Sequence, residues 1–274
     1  MSDSGHALYV YCVVPSATRL SLEGLAGVDP GSALEVITAG ELTAVVSRVR
    51  LQEFGSEALK RNLEDLAWVE RTARAHDAVL GSMLELDSVV PLRLLTIFTD
   101  EAHLVEMLER ERDHLVETLD RLRGHAEWSV KLLADPTVLQ SELRQRSREL
   151  AAVGGGEAKP GTAFFARKKQ QRTVREEARA LAQTAAVETH DRLRQHAAAA
   201  RVLPPQHPDL SRRSGEMVLN GAYLVERSRT HAFAGEAEAL RERHRGVGLE
   251  LELSGPWAPY NFVTAVDEAN EEPR

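Results

Sequence analysis

The residue types that could carry catalysis or bind a metal are spread thinly along this 274-residue chain. Its ten histidines form no His-x-x-x-His or His-Glu-x-x-His pair of the kind that ligates zinc. The single cysteine, Cys12, excludes an internal disulfide, and its place in an apolar strand pattern favours a small buried side chain over a nucleophile. His76 falls on the apolar stripe of a predicted helix, which favours a hydrogen-bonded core histidine. We therefore predict no catalytic residue, no metal site and no cofactor.

A glycine-rich segment, Gly154–Gly161, has the composition of a phosphate-binding loop but not its pattern. Lys159 is followed by Pro160 and Gly161 rather than directly by Ser or Thr, and a helix rather than a strand precedes the segment. We interpret residues 153–161 as a flexible connecting loop.

Basic side chains recur at helical spacing just after this loop. Lys168, Arg172, Arg175 and Arg179 are separated by 4, 3 and 4 residues and share one helix face, beside Arg167. The favoured interpretation is a solvated face with intrahelical partners such as Glu176. The alternative is a docking surface for an acidic partner protein, where charge sets orientation and association rate.

Aromatic residues concentrate near the C-terminus. Trp257, Tyr260 and Phe262 lie within six residues, although the chain has only 13 aromatic residues. They follow a strand pattern that alternates leucine with glutamate, and nearby prolines prevent both a longer strand and a helix. We expect Trp257 and Phe262 to have a structural role, with this segment crossing back over the first domain and joining the two halves; an exposed binding anchor is the alternative.

The elements that must position these residues follow from hydrophobic periodicity and from turn residues. The first half contains three strands, a helix, an extended segment and a second helix that Gly124 ends. The second half follows close to a βαββαβ order with one inserted helix and loop, which is the ferredoxin-like arrangement. The predicted strands are Leu8–Val14, Ala33–Thr38, Leu42–Val49, Ala126–Leu133, Glu216–Val225 and Val247–Leu253; the main predicted helices are Ala58–Leu86, Asp100–Arg123, Thr162–Arg201 and Thr230–Arg245.

The predicted fold class is α+β with two domains. Residues 1–124 form a mixed α+β domain, and residues 125–274 form a modified ferredoxin-like domain with an inserted helix and loop and one long helix. The acidic residues 266–274 are expected to be a disordered tail.

Composition limits the partners. The net charge of −8 argues against nucleic acid, although residues 140–180 carry ten basic and five acidic residues. We expect no membrane partner, because no apolar run approaches the roughly 18 to 20 residues that span a bilayer. The N-terminus has no signal-peptide pattern, so we expect the protein in the cytoplasm.

Six short motifs occur in order along the chain: Leu8–Tyr11, Val90–Arg93, Glu127–Lys131, Gly161–Lys169, Asn220–Val225 and Gly255–Phe262. Together they resemble the gas vesicle accessory proteins of the GvpL/GvpF family. One departure from the family pattern is Leu94-Leu95-Thr96, where an aromatic residue followed by Gly and Thr is expected. Others are Phe164-Phe165 for Tyr-Leu, and Ala258 and Asn261 for Pro and Ser.

The resemblance implies a non-enzymatic role in gas vesicle assembly. Proteins of this family are expected to bind the small hydrophobic shell subunit in a chaperone-like or nucleating way, to bind other accessory proteins, and to be a minor vesicle component. The resemblance also implies a fold of two α+β domains, the second one a modified ferredoxin-like domain. A different class of function, a small-molecule enzyme built on a ferredoxin-like domain, would require convergent polar side chains in a concave site.

Overall fold

The computed structural model describes residues 5–154, 163–205 and 215–263. Within these ranges the chain has a mixed α+β architecture with two antiparallel sheets. Residues 155–161 of the predicted flexible loop lie outside the described residues, and so does the predicted tail 266–274.

The first sheet has five strands in the order β2-β3-β1-β4, and β5 also pairs with β1. The three predicted N-terminal strands are confirmed, and the turn between β2 and β3 contains Gly40 with φ of 58°, a left-handed conformation that glycine adopts without steric cost. The strands are β1 (His6–Pro15), β2 (Leu34–Ala39), β3 (Leu42–Arg50), β4 (Val90–Pro91) and β5 (Ile97–Phe98).

The helices of this region are shorter than the periodicity predicts. The single helix expected over Ala58–Leu86 is divided, because Asp65 accepts hydrogen bonds from the backbone N–H groups of Ala67 and Trp68 and so caps a new helix. The helix expected up to Arg123 is likewise divided at Glu111. The helices are α1 (Leu51–Phe54), α2 (Ser56–Asn62), α3 (Leu66–Ser82), α4 (Glu101–Arg110) and α5 (Arg112–Leu122).

The second sheet has four strands in the order β7-β8-β6-β9. Helices α6 and α7 connect β6 to β7, and α8 connects β8 to β9. The elements are β6 (His125–Ala134), α6 (Pro136–Gly154), α7 (Ala163–Arg194), β7 (Ala199–Val202), β8 (Glu216–Glu226), α8 (Thr230–His244) and β9 (Leu249–Trp257).

The long helix α7 ends at Arg194, earlier than the predicted Arg201. Residues up to Ala197 form turn hydrogen bonds, and Ala199 then pairs with Leu224 of β8. Alanine favours helix, but pairing with a buried strand overrides that preference here.

The chain divides into two compact units, Met1–Glu127 with Pro256–Arg274, and Trp128–Gly255. The predicted boundary at Gly124 differs from this division mainly at the C-terminal end, because the segment from Pro256 groups with the first unit. Each unit has its own hydrophobic core. The first includes Tyr9, Tyr11 and Phe54, and the second includes Leu193, Tyr223 and Phe233.

Candidate functional site

The predicted basic face lies on α7. Arg167 and Lys168 belong to this helix, but their side chains lie outside the described part of the chain. Arg172 is exposed, and its Nε donates to Oε1 of Glu176 at 2.9 Å. The intrahelical partner expected in the solvated-face interpretation is therefore present at this position.

Arg175 and Arg179 line a groove of about 300 Å³ between α7 and the start of α6. Leu139 and Ala178 are apolar residues of its lining, which also contains Glu176 and Glu216. Neither arginine has an ion-pair partner among the described residues.

The C-terminal aromatic residues occupy three different environments in the first unit. Phe262 is fully buried, and Tyr260 is partly buried and packs against the core of the unit. Trp257 is 49% exposed. The structural role proposed for these residues fits Phe262 and Tyr260 more closely than Trp257, which presents much of its indole to solvent.

Tyr260 belongs to a hydrogen-bonded network around the buried His76. Nε2 of His76 lies 2.9 Å from the Tyr260 hydroxyl, and Nδ1 lies 3.0 Å from the Tyr9 hydroxyl. The Tyr9 hydroxyl also accepts a hydrogen bond from the backbone N–H of Leu95 at 3.0 Å. The expectation of a hydrogen-bonded core histidine is confirmed.

Burial sets the protonation state of this network. It lowers the pKa of His76 to about 4, because the charged imidazolium would lose its hydration. It also raises the pKa of Tyr9 and of Tyr260 above that of a free tyrosine. At neutral pH the imidazole is neutral with one N–H, so one ring nitrogen donates and the other accepts. The network is thus an uncharged connection between the C-terminal segment, α3 and β1.

A second connection lies next to Tyr260. The carboxylate of Glu127 accepts hydrogen bonds from the backbone N–H of Asn261 at 2.9 Å and from its Nδ2 at 2.5 Å. Glu127 is buried, and hydrogen bonds to a buried carboxylate are stronger than those between neutral groups. These contacts hold the C-terminal segment in one position within the first unit.

A groove of about 350 Å³ lies between α3 and this C-terminal segment, and we call it the Trp257 groove. The side of α3 supplies Asp77, Leu80 and Gly81, while the opposite side supplies Trp257 and Ala258. The sequence does not predict this groove, because the residues of its two walls are far apart in the chain. The spacing of Asp77, Leu80 and Gly81 on one helix face is the signal that the sequence did contain.

The prediction that Cys12 is a buried side chain is confirmed. Cys12 is fully buried, and burial raises the pKa of its thiol to about 12, so the nucleophilic thiolate is suppressed at neutral pH. In the described ranges, no group of three or more His, Cys, Asp or Glu side chains is arranged to hold a metal ion. Among the same residues, no helix has both the length and the apolar character needed to cross a membrane.

Two solved structures of gas vesicle proteins share this fold. The crystal structure of the gas vesicle protein GvpF from Anabaena sp. PCC7120 matches with a TM-score of 0.68 and 17% identity, covering 95% of this chain and 97% of that one. The crystal structure of GvpF from Microcystis aeruginosa matches with a TM-score of 0.66 and 18% identity, covering 94% and 99%. The mixed α+β architecture with two antiparallel sheets is therefore a gas vesicle protein fold.

The sequence comparisons specify the family. Residues 7–264 match the family described as gas vesicle synthesis protein GvpL/GvpF. Gas vesicle protein L of Streptomyces sp. (strain CB03234) is 34% identical over 260 residues, which cover 95% of this chain and 94% of that protein. Gas vesicle protein F of the same strain is 27% identical over 266 residues, covering 93% and 98%. The chain belongs to the GvpL/GvpF family.

Proposed function

We propose that this protein is a non-enzymatic accessory factor of gas vesicle assembly that binds the hydrophobic shell subunit before the subunit enters the growing shell. The observation that carries the proposal is family membership over residues 7–264. In this role the protein is cytoplasmic, binds other accessory proteins as well, and remains a minor component of the finished vesicle. A chaperone-like binder protects apolar surface that would otherwise aggregate.

We further propose that the second unit is a modified ferredoxin-like domain. The strand order β7-β8-β6-β9 supports this, because numbering the four strands of a βαββαβ unit in chain order gives 2-3-1-4, the order of a ferredoxin-like sheet read from one edge. The insertion consists of α6 and the segment that leads to α7. The division of the chain into two compact units supports the two-domain organisation.

The basic face of α7 is proposed as the surface for an acidic partner among the accessory proteins. Support comes from Arg175 and Arg179, which have no ion-pair partner among the residues described. Opposite charges across an interface chiefly increase the association rate and suppress wrong partners. Changing both arginines to glutamate should therefore weaken capture of that partner, and a pull-down against each gas vesicle protein identifies it.

Deletion of the gene in a vesicle-forming host tests the assembly role. The proposal expects a large loss of buoyant vesicles, with insoluble shell subunit accumulating instead, and recovery when the gene is restored on a plasmid. A deletion strain with normal vesicle yield and normal soluble shell subunit would refute it.

A further inference from the structure

The Trp257 groove has the composition of a recognition pocket for an apolar side chain. Leu80 and Ala258 are buried residues of its lining, and Trp257 leaves 49% of its surface exposed beside them. Tryptophan is among the residues that contribute most binding energy at protein interfaces. The groove therefore offers an aromatic surface next to apolar contacts.

Gly81 leaves open space on the α3 side of the groove. A Cβ built on this residue would meet no heavy atom within 4 Å. Gly81 lies in the last turn of α3, one turn after Asp77 on the same helix face. The space above Gly81 is consequently available to a side chain from another molecule.

The charge of the groove specifies its occupant further. Its lining contains two carboxylates, Asp77 and Glu127, and no Lys, Arg or His among the residues described. Glu127 is engaged with Asn261. Asp77 has no ion-pair partner within the described ranges, and burial raises its pKa, which an incoming cation would reverse. The groove beside Arg175 and Arg179 differs, because its lining contains two arginines together with Glu176 and Glu216.

We propose that the Trp257 groove binds a segment of the gas vesicle shell subunit in which an apolar side chain lies next to a lysine or arginine. The apolar side chain packs over Gly81 and against Trp257, while the cation pairs with Asp77 and can also lie over the indole face. This inference rests on the proposed function, which supplies the shell subunit as the partner.

Two substitutions block the groove by different means. Gly81→Leu fills the open space with a side chain, and it should not destabilise α3 because leucine favours helix more than glycine does. Asp77→Lys reverses the charge at the rim. The control for the first is Gly235→Leu, at a helical glycine of α8 where an added Cβ also meets nothing within 4 Å. The control for the second is Glu109→Lys, at an exposed position of α4.

The experiment co-expresses each affinity-tagged full-length variant with the shell subunit and measures shell subunit retained per tagged protein. The wild type and both controls should retain similar amounts, and each groove variant should retain at least about fivefold less, a typical effect at a central interface residue. Denaturant unfolding of each purified variant verifies that it is folded. If Gly81→Leu does not fold, Asp77→Lys decides the outcome.

Charge reversal in the partner makes the test more specific. Each Lys and Arg of the shell subunit is changed in turn to Glu and paired with Asp77→Lys; restored retention with one of them supports the contact. Wild-type retention that neither groove variant reduces would overturn the inference and leave the proposed function standing. Absence of any retention by the wild type would instead count against the proposed function itself.

Discussion

The hydroxyl of Tyr260 lies 2.9 Å from Nε2 of His76, although the two residues are 184 positions apart in the chain. The other ring nitrogen of His76 contacts Tyr9 of the central strand β1. One buried imidazole therefore ties the C-terminal segment to the first strand of the chain and to the core of the first unit.

Removing one hydroxyl tests this connection. Tyr260→Phe keeps the ring but leaves a nitrogen of His76 without its partner, so the free energy of unfolding should fall by about 1 to 3 kcal/mol. Urea unfolding of the purified protein measures it. In a His76→Gln background the same substitution should change stability much less, and an equal loss in both backgrounds would show that the two residues are not coupled.

Stability should also depend on pH through His76. The pKa of His76 is about 4 in the folded protein, whereas an ordinary histidine, as in the unfolded chain, has a pKa of 6.5. As pH falls, the unfolded chain therefore binds a proton at this residue before the folded protein does. The contribution of His76 is therefore complete above pH 6.5 and is lost as pH falls towards about 4. The loss is on the order of 3 kcal/mol, since each unit of pKa difference corresponds to about 1.4 kcal/mol.

Urea unfolding at a series of pH values between 7 and about 4 compares the wild type with His76→Gln. Burial also lowers the pKa of His190 and of His244, so the wild type alone does not isolate one residue. The difference between the two proteins isolates it. That difference should shrink as pH falls, and a constant difference would contradict the assigned protonation of His76.

Local sequence patterns anticipated most strands and the nature of His76, because alternation and apolar spacing are properties of neighbouring residues. They did not anticipate the division of the Ala58–Leu86 helix, which depends on one capping side chain, Asp65. Local sequence patterns did not predict the Trp257 groove either. Its walls come from α3 and from the C-terminal segment. The sequence predicted that this segment crosses back over the first domain, but not that it lies against α3.

Leu95 departs from the family pattern at a position with a left-handed backbone conformation. It stands where the family pattern expects glycine, and its φ of 68° lies in the left-handed region that disfavours side chains. Both Leu95→Gly and Leu95→Ala remove the leucine side chain, but only glycine relieves the backbone conformation. Leu95→Gly should therefore be about 1 kcal/mol more stable than Leu95→Ala by urea unfolding, the reverse of the usual order.

An alanine variant that equals or exceeds the glycine variant in stability would contradict the left-handed conformation. A matched pair at Arg93, an exposed residue of the same segment without positive φ, provides the control. There the alanine variant should be the more stable of the two.

The C-terminal aromatic residues should differ in their contribution to stability. Phe262→Ala creates a cavity in a fully buried site and should destabilise the protein by about 3 to 5 kcal/mol. Trp257→Ala removes a half-exposed side chain, so the free energy of unfolding should fall by only about 1 to 2 kcal/mol. Binding of the shell subunit should also weaken. Thermal unfolding of both variants measures the change in stability, and co-purification with the shell subunit measures the change in binding. Lost binding with unchanged stability at Trp257 would assign it to binding alone.

The most direct test of the assembly role is the solubility of the shell subunit itself. The shell subunit is expressed at one fixed level, alone, with this protein, and with an unrelated protein of similar size and charge, and its soluble fraction is measured after centrifugation. The account predicts a several-fold larger soluble fraction with this protein than in the other two conditions. An unchanged soluble fraction would contradict the claim that the protein binds and protects the shell subunit.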